Sequence, residues 1–378
     1  MKTNMAALKK KKTKKKNSKK KKISSKKKSV KFRKKVIKKK KGGIILKRAY
    51  HNPIIEPRSY IWESKATLNP AAFMANGKVH LVYRAIGDND SSVLGYAGSH
   101  DGYNIDDRPT YAVYQRPNNF NRPDLSVSSI DYISGGGWNG GCEDPRVTLL
   151  GDIVYMLYTA FDGWGSVRIT LTSIKLDDFE KKKWNWEKPI IISPPGEIHK
   201  NWVIFPEKIN NKFAIFHSMS PKILVEYVDK MEDFDGVKFI HSVHQGSPEW
   251  QLREKGIRGV GPSPIKTKLG WLILYHAIEE HDSNRYKLFA MILDAKDPTK
   301  ILYRSISPIL EPEEHYENNG YKWGVIYSCG AVVKDGTLFV YYGGADKVIG
   351  VASIKLANLL ADLKKHKAVK LKKQSTKI

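Results

Sequence analysis

The chain has only two cysteines in 378 residues, Cys142 and Cys329. Two thiols are too few for a disulfide framework or a four-ligand zinc site. Both flank apolar runs, so buried thiols are expected. No apolar stretch approaches the ~20 residues needed to cross a bilayer. The basic N-terminus has no apolar segment of ~7–15 residues behind it, which does not fit a secretory signal. A cytoplasmic protein is therefore expected. Acidic residues are missing from both ends. Residues 1–41 carry 22 Lys and Arg33 without one Asp or Glu, and seven more Lys follow Asp362. The net charge of +28 thus belongs to the ends, because residues 42–362 hold 36 basic against 38 acidic residues. A nucleic-acid-binding body is excluded on that balance. The lysine runs repel one another and offer nothing to bury, which predicts a disordered arm over 1–43. Such an arm suits contact with a polyanion, or it is a solubilising extension with no dedicated partner.

What is present is aromatic and repetitive. Nine Trp and nineteen Tyr supply a substantial core. Five segments share an alternating apolar pattern that ends in an aromatic and then a polar or small residue: 79–84 (VHLVYR), 154–159 (VYMLYT), 213–218 (FAIFHS), 271–276 (WLILYH) and 338–343 (LFVYYG). Each follows a turn containing Gly, Asn or Asp. Ahead of each turn is another strand-like stretch, opened by a polar or Pro-containing cluster. These clusters are Asn69-Pro70, Glu143-Asp144-Pro145-Arg146, Phe205-Pro206-Glu207-Lys208, Gly261-Pro262-Ser263-Pro264 and Ser328-Cys329-Gly330. A pair of strands recurring every 58–75 residues matches a four-stranded blade with its loops. The expected fold is all-β, a five-bladed β-propeller over 44–355 with flexible lysine-rich tails. Leu356, Leu359, Leu360 and Leu363 have helical spacing, so 356–378 reads as a short helix and a basic tail.

In a propeller the leading residues of each blade share one funnel. Here they bring together Asn69, Glu143, Asp144, Arg146, Glu207, Lys208 and Lys266, and the following strand ends add Arg84, His217, His276 and Asp346. Grouping such charges is costly without a ligand, and it suits a polar substrate. Trp138, exposed by the glycine-rich stretch 135–141, is a candidate for stacking on a sugar ring. His80 reads as a solvent-facing strand residue. No cluster has the spacing of a metal site, and no cofactor motif is present.

These residues resemble glycoside hydrolase family 130, the mannoside phosphorylases and related mannosidases, over roughly residues 50–355. The most specific matches are the segment 140–148 (GGCEDPRVT), the unit from Asn69-Pro70-Ala71 to Val82-Tyr83-Arg84-Ala85, and the segment 201–209 (NWVIFPEKI). Further matches are 261–266 (GPSPIK) with Tyr275-His276, and 341–346 (YYGGAD). The resemblance implies a five-bladed propeller with Asp144 as general acid. It implies that Asn69, Asp346 and Arg84 contact the sugar, and that His276 and Tyr286 lie near phosphate. It implies an oligosaccharide substrate, inorganic phosphate as the co-substrate in phosphorolysis, and an assembly into homo-oligomers in many members.

An inverting hydrolase needs two carboxylates ~6.5–9.5 Å apart. A phosphorylase needs only the acid, together with cations that hold phosphate beneath the anomeric carbon. The family's phosphorylases invert and release mannose 1-phosphate. After the residue matching His217 they commonly show Arg, and this chain has Ser218. Lys200, Lys208, Arg168 or His217 would have to compensate. Phosphorolysis of β-mannosidic linkages is the expected reaction. Hydrolysis is the alternative, with Glu207, Glu279 or Glu280 as base, and a non-catalytic sugar-binding propeller is a third reading. Arg146 beside Asp144 would lower its pKa. A general acid needs a raised one, so Glu143 and partial burial are expected to supply Asp144 with its proton.

Overall fold

The computed structural model describes residues 43–115, 140–161, 167–243 and 254–368. The lysine-rich arm through residue 42, Trp138 and the chain beyond residue 368 lie outside them. The described residues are all-β, with helices limited to Leu176–Glu180, a single 3-10 turn, His315–Asn318 and Leu356–Leu363. In the last of these, Leu359 and Leu363 are buried. No helix among the described residues is long and apolar enough to cross a membrane.

The five aromatic-ended segments lie in the strands Lys78–Ile86, Ile153–Phe161, Phe213–Ser218, Gly270–Glu279 and Thr337–Gly344. Each pairs antiparallel on both sides, which gives five antiparallel groups among the described residues. The leading partners are Ala66–Ala75, Gly141–Leu150, Val203–Ile204, Glu254–Val260 with Ile265–Thr267, and Ile326–Lys334. The trailing partners are Ser92–Ser99, Val167–Lys175, Leu224–Val228, Asp282–Leu293 and Val348–Lys355. Parallel contacts join the last group to the first, Cys329 opposite Ala71, and the first to the second, Ser92 opposite Gly141.

The central strands are buried along almost their whole length because each has a neighbouring group on both faces. Leu81, Tyr83 and Ala85 pack with Phe339, Tyr341 and Val351 of the last group. Val82 points the other way and packs with Val147, Met156 and Tyr158 of the second. This is the period-2 alternation of a strand with two apolar faces. Each fully buried Val or Leu stabilises the fold by roughly 1.5–3 kcal/mol. His80 follows the same rule and corrects the sequence reading. It is buried, stacked on Phe73 at 4.9 Å and bonded to the Tyr96 hydroxyl at 3.0 Å. Burial pushes its pKa down to about 4. Cys142 and Cys329 are both buried and form no disulfide.

The short strand Lys47–Arg48 adds to the edge of Val348–Lys355 and ties the start of the described chain to its end. Arg48 forks onto the wholly buried Glu317, Nε donating at 2.7 Å and Nη2 at 2.8 Å. The Tyr342 hydroxyl and the backbone N–H groups of Glu313 and Glu314 also donate to that carboxylate. Removing one member of a buried charge pair leaves the rest unpaired. Glu317→Ala should therefore lower unfolding free energy by about 3 kcal/mol, read as a shifted midpoint in urea. An unchanged midpoint would show that this closure does not hold the fold.

Candidate active site

Four leading strands carry extra residues relative to their partners, two in Glu254–Val260 and one in each of the others. The register slips between Leu68 and Ala71, Glu143 and Arg146, Ile257 and Gly259, and Tyr327 and Gly330. Such bulges re-aim a side chain out of the sheet. At the first two, Asn69 and Asp144 are left-handed, with φ of 49° and 50°. Asn and Asp tolerate that region better than other side chains. Pro70 and Pro145 follow where the ladder is already interrupted and no N–H is needed. Asp346, φ 53°, occupies the turn before Val348–Lys355, and Asn201, φ 65°, precedes Val203–Ile204. Short polar residues are thus presented by strand ends rather than by long loops.

They meet at a cavity of about 340 Å³. Asn69, Asp144 and Asp346 line it together with Lys200, Asn201, His217, Ser218, Arg258, Tyr286, Lys322 and Tyr327. Asn69, Asp144, Asp346, Lys200, His217 and Tyr286 are therefore brought to one space. Among the described residues no group of His, Cys, Asp and Glu converges as a metal site.

Behind the cavity wall lies a buried charge cluster. Arg84 is wholly buried and donates to Glu143 Oε1 at 2.8 Å, Asp144 Oδ1 at 3.2 Å and Ser92 Oγ at 2.9 Å. Asn69 Nδ2 donates to the same Asp144 Oδ1 at 2.7 Å. The two donors saturate Oδ1, and no hydrogen bond among the described residues reaches Oδ2, so that oxygen is left for a ligand. Burial pushes the Glu143 carboxyl up to about 7, against the pull of Arg84 and Lys200. Its Oε2 is buried without a donor, which disfavours the ionised form further. Burial also pushes Asp346 up to about 6, against Lys322. At Asp144 burial acts in the same direction, but Arg84, Lys200, the Asn69 bond and Arg146 outweigh it and hold this carboxyl below its ordinary value. The expectation that Glu143 and burial would lift Asp144 is thus corrected. The proton stays on the neighbours.

Several expected contact residues stand behind the wall rather than at the cavity. Arg84 and Glu143 reach it only through Asp144. Arg146 is buried and spends its donors on the carbonyls of Val260 and Gly261, Asn201 Oδ1 at 3.0 Å and the Tyr327 hydroxyl at 3.2 Å. It ties its own group to three others. His276 is wholly buried and stacked on Tyr327 at 4.3 Å, and its Nε2 accepts the Ser328 N–H at 2.8 Å. Burial and Arg146 push its pKa down to about 3, so the ring is neutral and supports Tyr327.

Glu207 and Lys208 are not at the cavity. Glu207 is half exposed and pairs with Lys266 at 3.2 Å, and Lys208 Nζ lies 4.4 Å from the Phe213 ring centre. Their cluster follows the short leading strand of its group instead of opening it, and the residues that open it are Lys200 and Asn201. Glu279 pairs with Lys287 at 2.7 Å, and Glu280 is exposed on the same hairpin. Neither lines the cavity. Sequence reasoning missed Asn201, Arg258, Lys322 and Tyr327. For Asn201 a signal existed, a polar residue just before a short apolar strand, as at Asn69.

The proton distribution can be measured. Glu143 titrates near 7 when folded and at 4.5 in an unperturbed chain. The unfolded state therefore binds fewer protons across that window, and stability falls as pH rises through it. Asp346 acts in the same sense up to about 6. Buried His80 and His276, held neutral, act in the opposite sense below about 6.5. The Glu143 contribution is therefore read as a difference: the stability of wild type relative to Glu143→Gln, read from melting midpoints, should fall as pH rises from 5 to 7. An unaltered slope in that variant would put the proton elsewhere.

With this geometry established, comparison with known proteins is informative. A family profile described as β-1,4-mannooligosaccharide phosphorylase matches residues 44–365. A 1,2-β-oligomannan phosphorylase of Thermoanaerobacter sp. (strain X514) is 37% identical over 327 residues, covering 84% of this chain and 99% of that protein. A β-1,2-mannobiose phosphorylase of the same organism is 36% identical over 82% of this chain and 97% of its own length. Among solved structures, the β-1,2-mannobiose phosphorylase of Listeria innocua in complex with β-1,2-mannobiose aligns with a TM-score of 0.64 at 26% identity, over 85% of this chain and 99% of that one. The Asp144 cavity thus sits within a match that spans the whole described chain, and the chain belongs to glycoside hydrolase family 130.

Proposed function

We propose that this chain is an inverting phosphorylase of β-1,2-linked mannosides, and that its five antiparallel groups are the blades of a five-bladed β-propeller. The ring is supported by the parallel contacts that join the first group to both the last and the second, and by the strand Lys47–Arg48 paired to the last group. The linkage is supported by the two relatives at 36–37% identity, both named for β-1,2-mannoside phosphorolysis.

One observation carries the reaction type. Asp144 lines a cavity that Lys200, Arg258 and Lys322 also line, and the glutamates that would serve a hydrolase as base lie outside it. Three cations suit an anionic nucleophile. A phosphate oxygen attacks the anomeric carbon, and the glycosidic C–O bond breaks with inversion. The Asp144 proton goes to the departing oxygen, so mannose 1-phosphate and a shortened mannoside leave. Asn69 and Arg84 fix the aspartate, and Asp346, raised toward neutrality, is suited to share a proton with a sugar hydroxyl. Phosphate is the co-substrate, and no step calls for a cofactor.

The test is incubation with β-1,2-mannobiose with and without phosphate. Mannose 1-phosphate should appear only with phosphate, and Asp144→Asn should lower kcat by about 10³-fold, within the usual range for losing a general acid. Free mannose released at equal rate without phosphate would overturn the phosphorylase reading.

A further inference from the structure

Consecutive residues of a strand normally point to opposite faces of the sheet. Glu143 and Asp144 do not. Glu143 is the last paired residue before the bulge, opposite Thr159, and Asp144 follows it with φ 50°. That left-handed turn brings both carboxyls to one guanidinium. Arg84 Nη2 donates to Glu143 Oε1 at 2.8 Å, and Nη1 donates to Asp144 Oδ1 at 3.2 Å. The two groups approach closely enough for this because Gly141 lies opposite Ser92 with φ 112°, where a side chain would strike the Ser92 backbone.

The two carboxyls otherwise have different surroundings. Asp144 lines the cavity, whereas Glu143 is wholly buried and does not. Asp144 Oδ1 also accepts from Asn69, while Glu143 Oε2 is buried without a donor among the described residues. Lys200 and Asp346 act on both carboxyls through space, and Arg146 acts on Asp144. His276, Tyr327 and Cys329 also lie near Asp144. They stay neutral around pH 7, because burial pushes the imidazole down to about 3 and the phenol and the thiol up. Arg84 is hydrogen-bonded to both carboxyls, so it is the group through which one senses the other. It carries a single positive charge. While Glu143 is neutral, that charge acts undiminished on Asp144. Once Glu143 ionises, its charge offsets the guanidinium, and Asp144 holds a proton more tightly.

We propose that Glu143 is a positioning residue for the reaction's proton: through the guanidinium it shares with Asp144, its charge raises the affinity of Asp144 for the proton that goes to the departing oxygen. This rests on Asp144 being the general acid, as in the reading above, and holds for either nucleophile.

The test is the pH dependence of kcat, at saturating phosphate and β-1,2-mannobiose, for full-length wild type and Glu143→Gln. The amide oxygen of the variant still accepts from Arg84, but the charge can no longer form. Asp144 must be protonated to act, so activity falls as pH rises through its titration. Without the Glu143 charge that limb should move down by about one pH unit. Activity should then drop about tenfold at pH 8 and less than about twofold at pH 5.5. Both KM values should stay within about twofold of wild type, because Glu143 does not line the cavity. A profile that superimposes on wild type, or an equal loss at every pH as a merely structural role would give, overturns the proposal. Coupling is reciprocal, so a second measurement does without that variant. In Asp144→Asn the infrared band of the carboxyl that titrates near 7 in wild type should titrate about one unit lower, and an unmoved band overturns the proposal as well. If Asp144→Asn keeps the kcat of wild type, the reading of Asp144 as general acid fails first.

Discussion

The buried guanidinium of Arg84 is the constraint on which the site depends. A charge wholly removed from water costs several kcal/mol unless well-placed partners offset it. Here the partners are Glu143 and Asp144, on the strand that opens the next group. Pairing across that seam fixes two groups relative to each other and turns Asp144 so that one oxygen is occupied and the other is not. It also decides where protons reside. One internal cation close to several carboxylates cannot satisfy all of them equally. Asp144, bonded as well to Asn69, keeps its charge, while Glu143 and Asp346 are driven toward neutrality.

Much of this was legible in the sequence because the bulge leaves a local mark. Asn69-Pro70 and Asp144-Pro145 each pair a residue that tolerates positive φ with one that lacks an N–H, inside an otherwise apolar strand. That combination is awkward anywhere except at an interruption of the ladder. The five aromatic-ended strands were legible for a similar reason, since alternation over six residues with a turn ahead has few other readings. The same reasoning misplaced Glu207 and Lys208. In their group the proline lies in the turn after a two-residue strand, and the left-handed residue, Asn201, has no proline to announce it.

Long charged side chains were the least legible. Arg146 is two residues beyond Asp144, and simple alternation puts both on one face. The inserted residue resets the alternation, and Arg146 turns away from the cavity to bind carbonyls of another group. Arg258 is the reverse case. Gly256 and Gly259 flank it, and glycine inside a strand marks an interruption without saying which residue it leaves over. Only the pairing to Gly270–Glu279 shows that one residue is left over. Where a Lys or Arg ends up depends on partners remote along the chain, and local pattern carries no information about them.

A general acid is ordinarily tuned upward, yet Asp144 is held low in the unliganded cavity. Under the phosphorylase reading the two facts agree. The groups that lower it are the positive charges of Arg84, Lys200 and Arg146 and the hydrogen bond from Asn69. A phosphate entering beside Lys200, Arg258 and Lys322 opposes that charge. At an effective dielectric constant of about 20, one negative charge ~6 Å away is worth about 3 kcal/mol, or about two pKa units. That shift acts against the lowering and raises the proton affinity of the carboxyl. Water entering the same space brings no charge and leaves the lowering in place. Under that reading the cations that hold the nucleophile and the acid beside them are coupled, because a bound anion raises the proton affinity of Asp144 and bound water does not.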